Sequence, residues 1–531
     1  MKKTSPPILH PFLFSAYAVL GVFLSNYKEV PAGQVPRPLA VSILFAFIIY
    51  LCILGVKRDK NHAGLLTTTL IFAIVFYGHA TNFLRLYFPI PSRVNLLIFG
   101  FWLFVFFLFS TDWFWRFIRS PQSVTRYLNI TSIIVLILPV FVFVKNAVAD
   151  SRSFKLVHEH SNNLPLISSQ VQQDMLPDIY YIILDGYGGN NIHREIYHYD
   201  NSDFIKWLQE HNFYVAEQSY TNYIRTLLSL SSSLNMEYLD FLSGKDYVNQ
   251  AALRELILKS RLEKTLRSSG YKIITFTSVT FFTQLNNADI ILSPYSKSVN
   301  EFESMLIAHS AFDILVQAFD LDIPGPKYQY QRSVILYDFK ELPEVSTFES
   351  PKFVFIHVLA PHPPFVFDAE GNFIEPIRPY GIFDANDYQG SPEEYKSGYI
   401  QQLQFVNRKV KDVIEKILVN STKPPVIIIQ GDHGPGIYTN FDRLDETCVA
   451  ERYSILNAYY LPPGAMNPDA LKELNSETSP VNSFRIVLNA YFGTNMEILP
   501  NQYYYSSEAS LFDFNELSSQ TVQGCQLIPG Q

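Results

Sequence analysis

Cysteine is scarce in this sequence, with three residues in the whole chain. That excludes a disulfide-stapled scaffold, which needs a dense cysteine framework. Cys52 falls inside an apolar run, which leaves Cys448 and Cys525. One disulfide between them and two buried thiols fit the sequence equally well. Charge is scarce only locally. The first 150 residues hold 13 Lys and Arg against 4 Asp and Glu, and the remainder holds 28 against 45, a net charge of −17. An acidic soluble part offers no basic face to a phosphate backbone, so nucleic acid is excluded as a partner. Histidine is missing after His433. No internal repeat or low-complexity tract occurs.

What the first 150 residues do have is apolar length. A spanning helix needs about 20 mostly apolar residues. Five stretches qualify: 9–27, 38–56, 65–84, 95–115 and 127–147. Lys2 and Lys3 precede the first, but further spans follow, which favours a multi-span anchor over a cleaved signal peptide. Basic residues mark the cytoplasmic side. With the amino terminus inside, the inner segments carry Lys2, Lys3, Lys57, Arg58, Lys60, Arg116, Arg119 and Arg126, and the outer loops only Lys28, Arg37 and Arg93, with Arg85 near the boundary. An odd number of spans then places everything after about residue 148 outside. Trp113 and Trp115 fit an interfacial aromatic belt. His79 and Asp112 lie in or near spans. They read more readily as helix-end or bundle-facing groups than as parts of a pathway.

Residues 148–176 are mixed and polar and read as a linker. Then IYYIIL, a continuous β-branched and aromatic run closed by Asp185-Gly186, predicts a strand buried on both faces, as in a parallel sheet. Similar runs lie near 271–277, 352–359 and 424–432. Helical periodicity marks 251–269 and 393–418. Strands alternating with helices predict an α/β domain with a mainly parallel central sheet, following the helical membrane domain. Ligands of such sheets gather at the carboxyl ends of the strands.

Those ends carry chemistry-bearing residues. Asp185 closes the first strand; Gly431-Asp432-His433-Gly434 closes the one at 425–430; His357 sits in the one at 353–359, with His362 just beyond it. Asp185, Asp432 and His433 supply the carboxylate and imidazole donors that a divalent cation takes. Such a cation lowers the pKa of a coordinated hydroxyl and neutralises phosphoryl charge. Thr226 opens a helix, where free N–H groups favour an anion. Arg225 beside it presents a fork of donors for a phosphoryl oxygen. Each residue alone has an ordinary structural reading: a turn for Asp185, capping for the Ser/Thr-rich stretch, a satisfied core histidine for His357. The ordered set is what points to chemistry. His193, His198, His211 and His309 read as surface or helix histidines.

This ordered set resembles the alkaline phosphatase and sulfatase superfamily, and within it the membrane-anchored sulfatase-like branch of lipoteichoic acid synthases and phosphoethanolamine transferases. The resemblance covers nearly the whole chain. It implies an alkaline phosphatase-like fold with residues 1–147 as transmembrane domain, 148–176 as linker, 177–500 as extracytoplasmic catalytic domain and 501–531 as C-terminal tail. It implies one divalent metal (Mn, Zn or Mg) held by Asp185, Thr226, Asp432 and His433. Thr226 would be the nucleophile, and Arg225, His357 and His362 would contact substrate. The lipid phosphotransferases usually carry Glu where this chain has Asp185, whereas Asp is typical of sulfatases and phosphatases. Sulfatases proper carry Cys or Ser in a CxPxR-like motif, and Arg225-Thr226-Leu227-Leu228-Ser229 is not one. Two-metal relatives use a histidine well after the DH pair, so the missing late histidine implies a single ion.

The expected function is metal-dependent transfer of a phosphoglycerol- or phosphoethanolamine-like group, with an envelope lipid or glycan as partner. The setting would be the cytoplasmic (inner) membrane, crossed several times, with the catalytic domain facing outside or the periplasm. Phosphodiester, phosphate or sulfate ester hydrolysis is the alternative. A receptor or transporter subunit without chemistry is the second.

Overall fold

The computed structural model describes residues 6–27, 30, 32–85, 92–110, 120–168, 176–294, 299–318, 328–374, 376, 378 and 380–525. The chain divides into two compact units, Met1–Arg152 with Tyr295–Gly325, and Ser153–Pro294 with Pro326–Gln531.

The first unit is helical. Its helices are α1 (His10–Asn26), α2 (Pro36–Lys57), α3 (Lys60–Arg85), α4 (Ser92–Ser110) and the long α5 (Pro121–Ser161), which carries the chain across the division. Helices at 32–57, 60–81 and 121–161 are long and apolar enough to cross a membrane, and 94–108 is a shorter apolar helix. At 17 residues, α1 rises about 26 Å, a little under a bilayer's hydrocarbon thickness. Large apolar side chains stand exposed along α2 (Leu44, Ile48), α4 (Phe101, Phe107) and α5 (Ile137, Phe141). A surface of that kind is stable against lipid and not against water. Asp112, Trp113 and Trp115 lie outside the described residues.

Residues 148–161, expected as linker, continue α5 to Ser161. Once a span has nucleated a helix, each further residue adds a hydrogen bond at little entropic cost, so a polar stretch without its own period can propagate it.

The second unit is built on a seven-stranded sheet in the order β2-β7-β6-β1-β5-β3-β4. Its strands are β1 (Ile179–Leu184), β2 (Phe213–Val215), β3 (Lys272–Phe276), β4 (Ile290–Leu292), β5 (Lys352–Val358), β6 (Val426–Gln430) and β7 (Asn457–Tyr460). The four central neighbours and β4 are parallel, while β7 pairs antiparallel with β6 and β2. Side chains alternate between faces, and both faces are covered. Tyr180, Ile182, Val354, Ile356, Ile427 and Ile429 enter one core, and Ile179, Tyr181, Phe353, Phe355, Val426 and Ile428 enter the other. That explains the continuous apolar runs of the central strands.

The covering helices include α6 (Asn190–Glu195), α7 (Ser202–Glu210), α8 (Thr226–Asn235), α9 (Gln250–Leu258) and α10 (Arg261–Ser268). The single helix expected over 251–269 is therefore two, because the Ser260 side chain caps α10 by accepting from the Glu263 N–H. After β4 the chain contributes α11 (Glu301–Ala308) and α12 (Phe312–Ala318) to the helical unit, then returns as α13 (Tyr328–Glu341), α14 (Pro392–Asn420), α15 (Val449–Tyr453) and α16 (Pro480–Phe492). Within 501–531, expected as a tail, the described residues to 525 carry structure of their own: β8 (Tyr503–Tyr505) pairs with β9 (Asn515–Leu517), and Cys525 is disulfide-bonded to Cys448.

At the amino ends of β1 and β5, Lys352 is fully buried and its Nζ lies 2.6 Å from Asp178 Oδ2. Removing one partner of a buried pair strands the other. Lys352→Met is therefore expected to destabilise by about 3–5 kcal/mol, and the Asp178→Asn/Lys352→Met double variant by less than the two single losses combined. Denaturant melts of the purified protein measure both.

Candidate active site

The carboxyl ends of β1, β5 and β6 are adjacent, so loops distant in sequence meet there. Asp185 follows β1, and its backbone N–H donates to Val358 O of β5 at 3.0 Å. The His362 N–H donates to Asp185 O at 3.0 Å, tying the Pro-rich loop to the same point. Gly186 has φ +72°, which an L side chain adopts only under strain, and its N–H reaches Asp432 Oδ1 at 3.2 Å. A Cβ on Gly434 would lie 2.0 Å from the Glu451 carbonyl, so glycine after the Asp-His pair lets that loop close against α15.

Into this junction project Asp185, His357, His362, Asp432 and His433, all buried. His433 Nε2 lies 3.4 Å from both Asp185 Oδ1 and Asp432 Oδ2, and His357 Nε2 lies 3.2 Å from Asp185 Oδ2. The imidazoles are oriented from behind. His433 Nδ1 faces Gly434 O at 2.9 Å, His362 Nδ1 faces Pro363 O at 2.5 Å, and His357 Nδ1 faces the Thr283 hydroxyl at 2.9 Å. A carbonyl only accepts, so Nδ1 of His433 and of His362 carries a proton, which reserves Nε2 as the ligating atom of a neutral ring. Thr283 donates onward to Ser278 at 2.9 Å, which gives His357 the same tautomer.

Asp185 Oδ1, Asp432 Oδ2 and His357 Nε2 are buried with no hydrogen-bond partner among the described residues. Acceptor atoms converging without a donor is what a cation site looks like before the cation is added. Two overlapping donor groups arise, Asp185 with His362 and His433, and Asp185 with His357 and Asp432. Both fit a divalent cation. Burial alone would raise the Asp185 carboxyl. The imidazoles, His362 foremost, overcome it and hold the group well below the usual carboxylate range. His433 is lowered by burial and then by Arg452, which keeps its ring neutral and able to ligate.

Thr226 is the first residue of α8, and its Oγ1 lies 3.2 Å from His433 Nε2. The proposed nucleophile thus stands at the same junction as the proposed ligands. Arg225, in extended backbone just before the helix, stacks its guanidinium over Phe441 at 4.2 Å. Its Nε and Nη2 have no hydrogen-bond partner among the described residues; Glu508 is 3.8 Å away.

Two groups at the site carry no sequence signal. Arg452 is 2% exposed. It binds Asp384 Oδ2 at 2.5 Å and Ile224 O at 2.9 Å, and its Nη2 lies 3.2 Å from His433 Nε2. Asp384 also accepts from the Tyr395 hydroxyl at 2.7 Å and lies 3.5 Å from His362 Nε2. Burial opposes its charge, but Arg452 prevails and the carboxyl falls to about 2. His193, expected as a surface or helix histidine, lies in α6 and is fully buried, its Nε2 on the Tyr399 hydroxyl at 3.1 Å.

Residues 177–486 match the family model described as Sulfatase. The chain belongs to the Sulfatase family. Among curated proteins none matches it in sequence. Solved structures similar to it include the C-terminal periplasmic domain of EptC from Escherichia coli, at 13% identity and TM-score 0.41 over 68% of this chain and 97% of that one. The integral membrane lipooligosaccharide phosphoethanolamine transferase EptA from Neisseria meningitidis is similar at 12% identity and TM-score 0.38, over 91% and 93%. The lipoteichoic acid synthase LtaP from Listeria monocytogenes is similar at 11% and 0.37, over 70% and 94%. A Sulfatase-family domain is an enzyme's, which sets aside a receptor or transporter subunit without chemistry.

Glu451, beside Arg452, sits deep in this Sulfatase-family fold. Burial pushes its carboxyl up to about 8. An acid raised on folding stabilises fully below its unfolded pKa, and that contribution is lost as pH rises through the folded one. Glu451→Gln is therefore expected to melt higher than the parent by about 2 °C or more at alkaline pH and to flatten the pH dependence between about 5 and 8. Thermal melts across that range check it.

Proposed function

We propose that this protein is a membrane-anchored phosphotransferase that moves a phosphoglycerol- or phosphoethanolamine-like group onto an envelope lipid or glycan. The observation that carries the reading is the meeting of Thr226, at a helix start, with His433, whose Nε2 lies 3.4 Å from both Asp185 and Asp432. Asp185, Asp432, His433 and the Thr226 hydroxyl would hold a divalent cation, which supplies charge neutralisation and makes the threonine hydroxyl more acidic. Thr226 Oγ attacks phosphorus; the new O–P bond forms as the bond to the donor's leaving oxygen breaks. Arg225 and the free N–H groups of the first turn of α8 bind the non-bridging oxygens. The Thr226 proton is released to solvent and the departing oxygen takes one from it, while His362, beside Asp384, and His357, facing Asp185, would contact the leaving group. An acceptor hydroxyl then releases the group from Thr226.

The setting supports the reading. Helices of spanning length with exposed apolar faces suit a multi-pass inner-membrane protein. The basic-residue bias puts the α/β unit outside, where a Cys448–Cys525 disulfide is stable. A second reading, two cations sharing Asp185, is favoured by the overlap of the two donor groups. Metal analysis separates them, as one or two ions per chain.

The deciding experiment is mass analysis of the purified full-length protein after incubation with envelope lipids. A covalent increment on the peptide carrying Thr226 is expected, and its mass names the transferred group. Turnover with no such increment, under rapid quench, would remove Thr226 as nucleophile.

A further inference from the structure

The helical unit holds a cavity of about 480 Å³ among α1, α2, α3, α11 and α12. That lies within the roughly 300–1,000 Å³ of small-ligand sites. Most of its wall is apolar, formed by Val19, Val22, Val41, Phe45, Val75 and Leu306. Its strongly polar groups are Arg37, Glu303, His79 and His309. Arg37 is the second residue of α2, and His79 lies in the last third of α3. A two-residue turn joins these helices and they pack antiparallel, so the start of one and the end of the other share a level. The polar groups therefore collect at one end of an apolar slot. The basic-residue bias assigns that end to the outer face.

The α11–α12 segment is built into this unit. Phe302 is fully buried with Val19, Phe23, Val30 and Val35. The Ala311 N–H donates to Ile74 O at 2.8 Å. A Cβ on Gly78 would lie 2.1 Å from the His309 carbonyl carbon, so glycine is what lets the two backbones touch. His309 then stands beside His79, ring centroids 5.4 Å apart. Arg37 forms a two-pronged pair with Glu303, and its side chain is 55% exposed. A guanidinium has five N–H donors, and this pair engages two of its nitrogens, leaving donors for a second anion.

We propose that this cavity is a lipid site: it takes an acyl chain of an outer-leaflet glycerophospholipid along the apolar wall, with the lipid phosphate at Arg37 beside the His79–His309 pair. The apolar length with polarity at a single end matches an amphiphile, and a slot at spanning depth is surrounded by such molecules. The proposal rests on the helices spanning the membrane and not on the chemistry at Thr226.

Photo-crosslinking tests it. The full-length protein is loaded with a phosphatidylglycerol carrying a diazirine on its acyl chain, irradiated and peptide-mapped. Label enriched on α1, α2 and α11 is expected. Ala18→Trp and Leu306→Trp, filling the slot from α1 and from α11, should each cut it by about tenfold with unchanged gel-filtration profiles. Arg37→Gln should cut it too, and a diazirine fatty acid without phosphate should label weakly. Thr226→Ala should label like the parent, so loss of the phosphotransfer reading and loss of this site are distinguishable. Label spread evenly over the exposed faces of α4 and α5 and unmoved by both tryptophans overturns the site. Equal labelling by the fatty acid, or by the Arg37→Gln protein, overturns its phosphate end.

Discussion

Thr226→Ala is expected to lower turnover by about 10⁴-fold or more while leaving the fold in place, a loss larger than the weaker metal binding that removal of one donor brings. The size follows from the role. A nucleophile acts as a unit with its ligands and helix start, so its removal abolishes the covalent route whole. The specificity follows from the position. Thr226 is the first residue of α8 and Arg225 occupies the cap, so no capping hydrogen bond is lost, and alanine is the best helix former. Among the described residues, the side-chain partner of Oγ1 is His433 Nε2 at 3.2 Å. A stability change within about 1 kcal/mol is therefore expected. Thr226→Ser keeps the hydroxyl without the methyl and should recover part of the rate. Steady-state kinetics on a soluble phosphodiester, alongside metal content and a thermal melt, measure all three. Turnover within about tenfold of the parent at equal metal content would end the assignment.

Much of this site is legible in the sequence because parallel strands announce themselves. A strand covered on both faces must be apolar throughout, so IYYIIL and VIII stand out, and the residues just after each run sit at the sheet's carboxyl edge. Asp185 and the Asp432-His433 pair are found in that way, and Thr226 by its place before a helical run. Arg452 and Asp384 are not, for physical reasons. Asp384 lies in a loop rich in Gly and Asp, where an aspartate reads as a turn former. Arg452 sits in a helix of five residues, too short to show a period. What makes them functional candidates is their contact across 68 residues of chain. The ion count is hidden for a related reason. A late histidine is one way to supply more imidazole, but β5 lies beside β1, so His357 and the loop carrying His362 arrive from the middle of the chain. The insertion of α11 and α12 into the helical unit is likewise unmarked, since two short amphipathic helices look alike wherever they pack.

Asp185→Asn should be the most damaging change to metal binding. Asp185 is the one residue in both donor groups, so its loss weakens either reading of the ion count. The substitution is nearly isosteric, which confines the effect to charge and donor quality. It leaves Asp432 and Asp384 as the carboxylates facing three imidazoles and Arg452, and Asp384 is already committed to Arg452 at 2.5 Å. Changes in groups merely supporting ligands cost about 10–100-fold in metal affinity. A ligand shared by both groups should cost about 100-fold or more, and turnover should fall with it. Asp185→Glu restores the charge on a longer stem. It should bind metal within about tenfold of the parent, the variation that small changes of ligand placement produce. Titration with Zn²⁺ and Mn²⁺, followed by metal content after dialysis, checks both variants. An asparagine variant retaining a full complement of ion would mean that the converging lone pairs at this sheet edge serve some other guest.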